Sequence, residues 1–412
     1  MNAAATDVLV VGAGMVGASL AAALGQAGFA VTLLEAGAVP PAPQGELDTR
    51  VTALSLASER MLRRLDIWPA MARTGRVAGY RHMHVWDGAA SIDFDAAALP
   101  ADRLGSIVEN QALQRAAVDA ATAHETVQLH EHAPLGRIDW TGGAVEVDAA
   151  GRRWRARLVV GADGATSRVR GMARIASVGH AYGQRAIVCG IHPGGGHRDT
   201  AWQHFLPTGP LAFLPLADGR CAVVWSNDEP AAERLLAASP DDFLNALQAA
   251  SAGRLGRLTG AGPRAAFPLQ YRHAVDYVGP RVALVGDAAH AVHPLAGQGA
   301  NLGLMDAAAL TDVLVAARAA GEDWADRRVL ARYARWRRGE NLMVSLTLDG
   351  FKRLFGTSAP WTRRIRRAGL AATDRLGPLK RRIVNEASGF SGDLPSLAAP
   401  DPARLKDVID FV

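Results

Sequence analysis

Arg281-Val-Ala-Leu-Val-Gly-Asp-Ala-Ala-His-Ala-Val-His-Pro-Leu-Ala-Gly-Gln-Gly-Ala-Asn-Leu-Gly-Leu-Met-Asp-Ala307 is the stretch whose reading decides the fold. It starts as a short apolar strand, Val282 to Val285, runs into Gly286-Asp287, crosses a loop with Pro294 and two glycines, and turns helical from about Ala300. A carboxylate at a strand's carboxyl end accepts hydrogen bonds from ribose-type hydroxyls, and the free N–H groups of a helix amino terminus stabilise negative charge. Gly297 and Gly299 let backbone approach a flat ligand with no side chain between. The layout suits a cofactor that becomes anionic. Gly-Asp also ends many ordinary strands, so the partners of this stretch elsewhere in the chain decide its meaning.

The first partner lies at the amino end. Asp7-Val8-Leu9-Val10-Val11 is a buried-strand run, followed by Gly12-Ala13-Gly14-Met15-Val16-Gly17, an Ala- and Leu-rich helix to about Ala27, a strand from Phe29 to Leu34, and Glu35. Strand, glycine turn, helix, strand and acid about 20 residues on form a dinucleotide fingerprint. Its first glycine permits the tight turn, the second lets backbone meet a pyrophosphate, and the third packs helix on sheet. Glu35 takes adenosine ribose hydroxyls and disfavours a 2′-phosphate. The second partner is Arg157 to Arg170, a buried strand closed by Gly161-Ala162-Asp163-Gly164. Asp-Gly is common in turns for local reasons, but here it ends a strand where α/β sheets hold their ligands.

Between these pieces the pattern changes. Asp48 to Ser55 leads into a helix, and Arg50 before it is placed to reach a phosphate or ring edge, although surface ion pairing is the commoner fate of a lone Arg. Strand-like pieces at Arg81 to Trp86 and Ser91 to Phe94 leave for a second sheet, and a helix from Glu109 to Ala120 returns with Gln111. From Tyr182 to Pro268 strands alternate with turns, and Leu211 to Leu216 with Arg220 to Trp225 reads as a hairpin. Phe213, Pro215 and Trp225 are the candidates for a substrate-pocket wall, weighed against the commoner role of apolar strand residues as core. Helices are expected at Ala307 to Ala320, Trp324 to Arg338 and Leu342 to Leu354, with a basic segment at Trp361 to Ala372. That segment is as well suited to an anionic membrane surface as to packing with its arginines solvated.

The chain has 412 residues, 49% of them apolar and 21% charged, which implies a globular protein of more than one domain. No uninterrupted apolar run reaches the ~18 residues of a membrane span, and no basic leader precedes the first strand, so a cytoplasmic protein is expected. Cys189 and Cys221 sit in strand-like runs and read as small core residues, with no disulfide or metal cluster. The net charge of +5 is concentrated in Arg327 to Arg338 and Lys352 to Arg382. No aromatic-interleaved module accompanies it, which argues against nucleic acid.

The three glycine motifs in this order resemble the FAD-dependent aromatic hydroxylases of the para-hydroxybenzoate hydroxylase fold. Asp48 to Ser55, Gly209 to Leu216 with Val224-Trp225-Ser226, and His293 to Leu304 are similar to the ubiquinone-biosynthesis hydroxylase family within it. The resemblance implies an α/β fold: a Rossmann-like FAD-binding domain from residues 1–75, 95–180 and 272–345, an inserted, mostly antiparallel substrate sheet from 76–94 and 181–271, and a helical segment at 346–412. It implies FAD with its pyrophosphate at Gly12 to Gly17, adenosine ribose on Glu35, and contacts from Asp163, Gly286 and Asp287. Arg50 and Gln111 would lie near the flavin, and Pro294, Gly297, Gln298, Gly299, Ala300 and Asn301 would border its ring. Ala300 and Met305 depart from the commonest family wording, which puts pocket shape in doubt more than FAD binding.

The implied chemistry is hydroxylation of a prenylated phenol or quinol by O2 through a flavin C4a-hydroperoxide, with NAD(P)H as a transient donor or electrons from another protein. No acid or base is assigned, since His290 and His293 carry no fixed proton-transfer role in the family. Association with a membrane or a biosynthetic complex is compatible with this reading. Two alternatives remain: the same chemistry on a soluble aromatic molecule, and a non-catalytic FAD-binding subunit.

Overall fold

A computed structural model describes residues 3–99, 101–292, 297–356, 385, 389 and 392–400. Val8 to Val11 are buried in a core shared by a parallel sheet and the helices packed on it, which is why this strand reads as an unbroken apolar run. The sheet runs in the order Val278–Gly279, Val282–Leu284, Arg152–Gly161, Ala4–Val11, Val31–Leu34, Val127–His130. All neighbours in it are parallel except the first pair. Leu135–Thr141 and Ala144–Ala149 extend it as antiparallel strands, an addition the sequence reading did not contain.

The helix Met15–Gln26 is buried from Gly17 to Gly25 and packs against Asn110–Thr122 and Gln298–Ala319. A Cβ on Gly303 would lie 2.6 Å from Val16 Cγ2 and 3.0 Å from Gly286 Cα. Only a residue without a side chain lets the long helix cross so near the Gly286 turn. That helix begins at Gln298, two residues earlier than expected, and runs unbroken to Ala319. Its length and hydropathy would suit a membrane span, but most of it is buried inside the protein, as in a core helix. The two helices expected after it are one, Arg327–Gly356. The basic segment Trp361 to Ala372 lies outside the described residues.

A second, mostly antiparallel sheet has the order His290–Ala291, Ala265–Ala274, Ser177–Pro193, Cys221–Asp228, Gly209–Pro215, Thr200–Leu206, His82–Asp87, Ala90–Asp95. The expected hairpin is present, with Leu211 opposite Trp225 and Pro215 opposite Cys221. Glu229–Ala237 and Pro240–Ala250 cover one face of this sheet. Its other face meets a small sheet of Val51–Leu54, Gly105–Glu109 and Val77–Tyr80 through Leu214, Leu216 and Ala222 packed on Ala53, Ala78 and Ile107. Cys189 and Cys221 are buried free thiols on the helix-covered face, each pushed up to about 12 by burial.

Candidate cofactor and substrate site

Three glycine turns stand side by side at the carboxyl ends of adjacent parallel strands. The Ala162 N–H donates to the Val11 carbonyl at 2.9 Å and the Val285 N–H to the Gly161 carbonyl at 3.0 Å, so the turns at Gly12, Ala162-Asp163 and Gly286 form one row. This is the edge at which open α/β sheets bind ligands. The fingerprint glycines do different things. Gly12 has φ +104°, and a Cβ there would be 2.4 Å from the Ala162 carbonyl oxygen; a Cβ on Gly17 would be 1.9 Å from the Gly12 oxygen. Gly14, at the uncapped start of the helix, has nothing within 4 Å of where its Cβ would project. Two glycines are therefore demanded by the protein itself, and the third opens space in front of a helix tip, which is what a diphosphate requires.

Glu35 is half-buried, and both of its oxygens are engaged: Oε2 accepts the Ala13 N–H at 2.8 Å and Oε1 the Gly37 N–H at 3.1 Å. It shapes the fingerprint loop, and each oxygen keeps a second lone pair for a ligand hydroxyl. Gln114 supports the same loop by donating Nε2–H to the Ala13 carbonyl at 3.0 Å. The sequence reading missed Gln114, because the contact is set by how the two helices pack. Gln111, in the first turn of the same helix, is exposed. Arg50 is brought beside it, since the Asn110 N–H donates to the Arg50 carbonyl at 2.9 Å, and the Arg50 side chain is exposed too.

Asp163 spends both oxygens on the short helix after it, accepting from Ser167 Oγ at 2.6 Å and from the Arg168 and Val169 N–H groups at 2.7 and 3.1 Å. Arg170, buried, donates to the Ala165 carbonyl and the Ala288 carbonyl, each at 2.7 Å, and so straps the second turn to the third. Crowding by protein lowers its guanidinium below the usual arginine range, with Arg272 acting in the same direction.

Gly286 takes φ +58° and aims Asp287 toward the start of the long helix, where a Cβ on Gly299 would sit 4.0 Å from Asp287 Oδ1. Asp287 is open to solvent, yet burial raises its carboxyl above the usual carboxylate range, with His290 pulling the other way. Exposure together with crowding marks a carboxylate that lines a deep cleft. Gln298, Gly299 and Ala300 form the first turn of a helix with no side-chain cap, after Gly297 in the left-handed conformation. The Asn301 side chain is turned into the protein. Its Oδ1 accepts from the Ser55 N–H at 2.9 Å and Ser58 Oγ at 2.7 Å, and its Nδ2 donates to the Ala53 and Gly297 carbonyls at 2.8 and 3.1 Å. Its amide is fully used in clamping the helix start to the small sheet, which leaves the backbone for a ligand. Pro294 lies outside the described residues.

The proposed pocket wall is corrected by strand alternation. Phe213 is fully buried and Trp225 6% exposed, both within the cluster under the two covering helices, and Pro215 follows on that same face. The residues between them, Ala212, Leu214 and Val224, are half-buried on the opposite face, which packs toward Ala53. Ala53 in turn lies against Gly297, where a Cβ would be 3.1 Å from Ala53 Cβ. One face of the sheet thus carries core and the other looks toward the helix tip.

Comparison with known proteins agrees with this geometry. Residues 5–341 match the family described as FAD binding domain. A 3-demethoxyubiquinol 3-hydroxylase of Escherichia coli (strain K12) is 42% identical over 402 residues, 93% of this chain and 99% of that protein. The ubiquinone hydroxylase UbiL of Rhodospirillum rubrum is 36% identical, over 97% of this chain and 92% of its own. Among solved structures, p-nitrophenol 4-monooxygenase PnpA from Pseudomonas putida DLL-E4 superposes with a TM-score of 0.77 at 22% identity, covering 94% of this chain and all of that one, a likeness of fold. The row of three turns, the space before Gly14 and the cleft carboxylate of Asp287 fit FAD, and the chain belongs to the FAD-binding aromatic monooxygenases, among the ubiquinone-biosynthesis hydroxylases.

Proposed function

We propose that this protein hydroxylates the aromatic ring of a polyprenylated phenol or quinol on the route to ubiquinone. One atom of O2 enters the ring and the other leaves as water, with two electrons from NAD(P)H or another reductant. The observation that carries this reading is the 42% identity to a demethoxyubiquinol hydroxylase across nearly the whole of both chains.

Bound FAD supplies the electron transfer and oxygen activation that side chains cannot perform. The chain's own part is placement and electrostatics. The first turn of the Met15–Gln26 helix, with Gly14, would hold the diphosphate, and Glu35 the adenosine ribose. Asp287 would take hydroxyls of the linking chain. The uncapped N–H groups at Gln298 to Ala300 would hold the electron-rich edge of the flavin ring, where preorganised donors stabilise developing negative charge without reorganising. Ala212, Leu214 and Val224 offer an apolar wall for the substrate ring and help exclude water.

A prenylated substrate resides in lipid. Arg327, Arg328, Arg335 and Arg338 are exposed on the Arg327–Gly356 helix, and Met343 and Leu346 further along it are exposed apolar residues. Such a surface suits contact with an anionic bilayer.

The test is NAD(P)H-dependent oxygen uptake and product analysis with the FAD-loaded chain, comparing prenylphenols with simple phenols. Hydroxylated prenylphenol in step with oxygen uptake is expected. Coupling to simple phenols alone would overturn the quinone reading.

A further inference from the structure

Directly beneath the Gly286-Asp287 turn lies a buried charge cluster that the chemistry above does not use. At its centre is Asp306, fully buried on the long helix, with all of its identified partners donors. Oδ2 accepts the Gly286 N–H at 3.1 Å and His290 Nε2 at 2.5 Å, which requires the proton on Nε2. Oδ1 accepts Arg337 Nε–H at 3.0 Å and Asn341 Nδ2–H at 2.9 Å. Arg337, itself 1% exposed, also donates to Asn341 Oδ1 at 2.8 Å and pairs with Glu340. Tyr333 on the same helix donates to the Leu284 carbonyl at 2.7 Å, just before the turn.

Four donors on two oxygens can be met only by an ionised carboxylate. Burial by itself would raise the Asp306 carboxyl, but His290 and Arg337 hold it below the usual carboxylate range. A charge so deep is costly unless it is paired and hydrogen-bonded, and this one is both. What distinguishes the cluster from ordinary core pairing is the Gly286 N–H. It belongs to the residue that, with φ +58°, sets the direction of Asp287.

We propose that Asp306 is a positioning residue: through the Gly286 N–H it fixes the Gly286-Asp287 turn, so that the Asp287 carboxylate is presented to FAD. This rests on the FAD reading above. It differs from a general stabilising role in one respect, that the contribution of Asp306 to FAD affinity passes through Asp287.

A double-mutant cycle measures that dependence. FAD dissociation constants, from flavin fluorescence at equilibrium, would be compared for the unaltered full chain, Asp306→Asn, Asp287→Asn and the double variant. An amide at 306 cannot accept from both pairs of donors, so D306N is expected to weaken FAD about tenfold when Asp287 is present, and less than about threefold in the D287N background. Equal losses in the two backgrounds, or no loss in either, would overturn the inference while leaving the FAD reading intact. No FAD uptake by the unaltered chain would overturn both. Should D306N fail to fold, Asp306→Leu with Arg337→Met removes the acceptor without stranding a buried cation and carries the same cycle.

Discussion

The three fingerprint glycines offer a direct separation of folding from cofactor binding, at Gly14. Its φ of −67° is open to any L-residue, and no atom lies within 4 Å of where a Cβ would project. Gly14→Ala should therefore be nearly silent in the apoprotein. Losing a good N-cap residue costs roughly 0.5–1 kcal/mol, and reduced freedom of the unfolded chain returns about 0.4–1 kcal/mol. The net change is within about 1 kcal/mol, and the melting temperature should move by no more than ~3 °C. The same methyl would stand in the space before the helix tip. Pushing a diphosphate off two charge-assisted N–H contacts forfeits at least about 3 kcal/mol, on the order of a hundredfold in FAD affinity.

Gly12→Ala is the control. With φ +104° and a carbonyl oxygen 2.4 Å away, it combines backbone strain with overpacking, together about 2–5 kcal/mol, and should lower apoprotein stability outright. The assay is an apoprotein melt beside an FAD titration followed by flavin fluorescence. A G14A protein that melts normally and binds FAD within threefold of the unaltered chain would refute the assignment of the diphosphate to this helix tip.

Three further outcomes follow from the same geometry. Because burial raises the Asp287 carboxyl in the folded apoprotein, its ionisation costs stability as pH rises past the usual carboxylate range. Asp287→Asn should thus raise the apoprotein melting temperature at neutral pH, by a margin that vanishes as pH falls toward 4, while weakening FAD; a pH series of melts checks both signs. Phe213→Ala should cost about 3–5 kcal/mol in urea unfolding and leave KM of the folded enzyme unchanged, whereas Leu214→Trp, on the other face, should raise KM about tenfold while costing about 1–3 kcal/mol where it meets the small sheet. Asn301→Ala removes four hydrogen bonds that tie the helix start to Ser55, Ser58, Ala53 and Gly297, and should cost about 3 kcal/mol by urea unfolding.

Much of this protein is legible in its amino-acid sequence. The fingerprint at Gly12 to Gly17, the Asp163 turn and Gly286-Asp287 each announce themselves through local chemistry: an apolar run that only a buried strand accepts, then glycines where the backbone must turn or open. Local signals of that kind identify the elements and the cofactor class, because they depend on residues within a dozen positions of one another. Side-chain roles depend on packing between distant segments, and there the reading ran out. The face that Phe213 and Trp225 occupy turns on the register of a sheet whose two sides are both apolar, so alternation alone does not say which side is core. Gln114 rather than Gln111 meets the fingerprint loop because of the angle at which two helices cross. Asn301 clamps, and Asp306 gathers the Gly286 turn, His290 and the last helix, because the chain folds back over some 250 residues in the first case and about 30 in the second. The sequence by itself determined what the protein holds; only tertiary packing decided which groups touch the ligand and which hold those groups in place, since that choice lies in contacts no local pattern encodes.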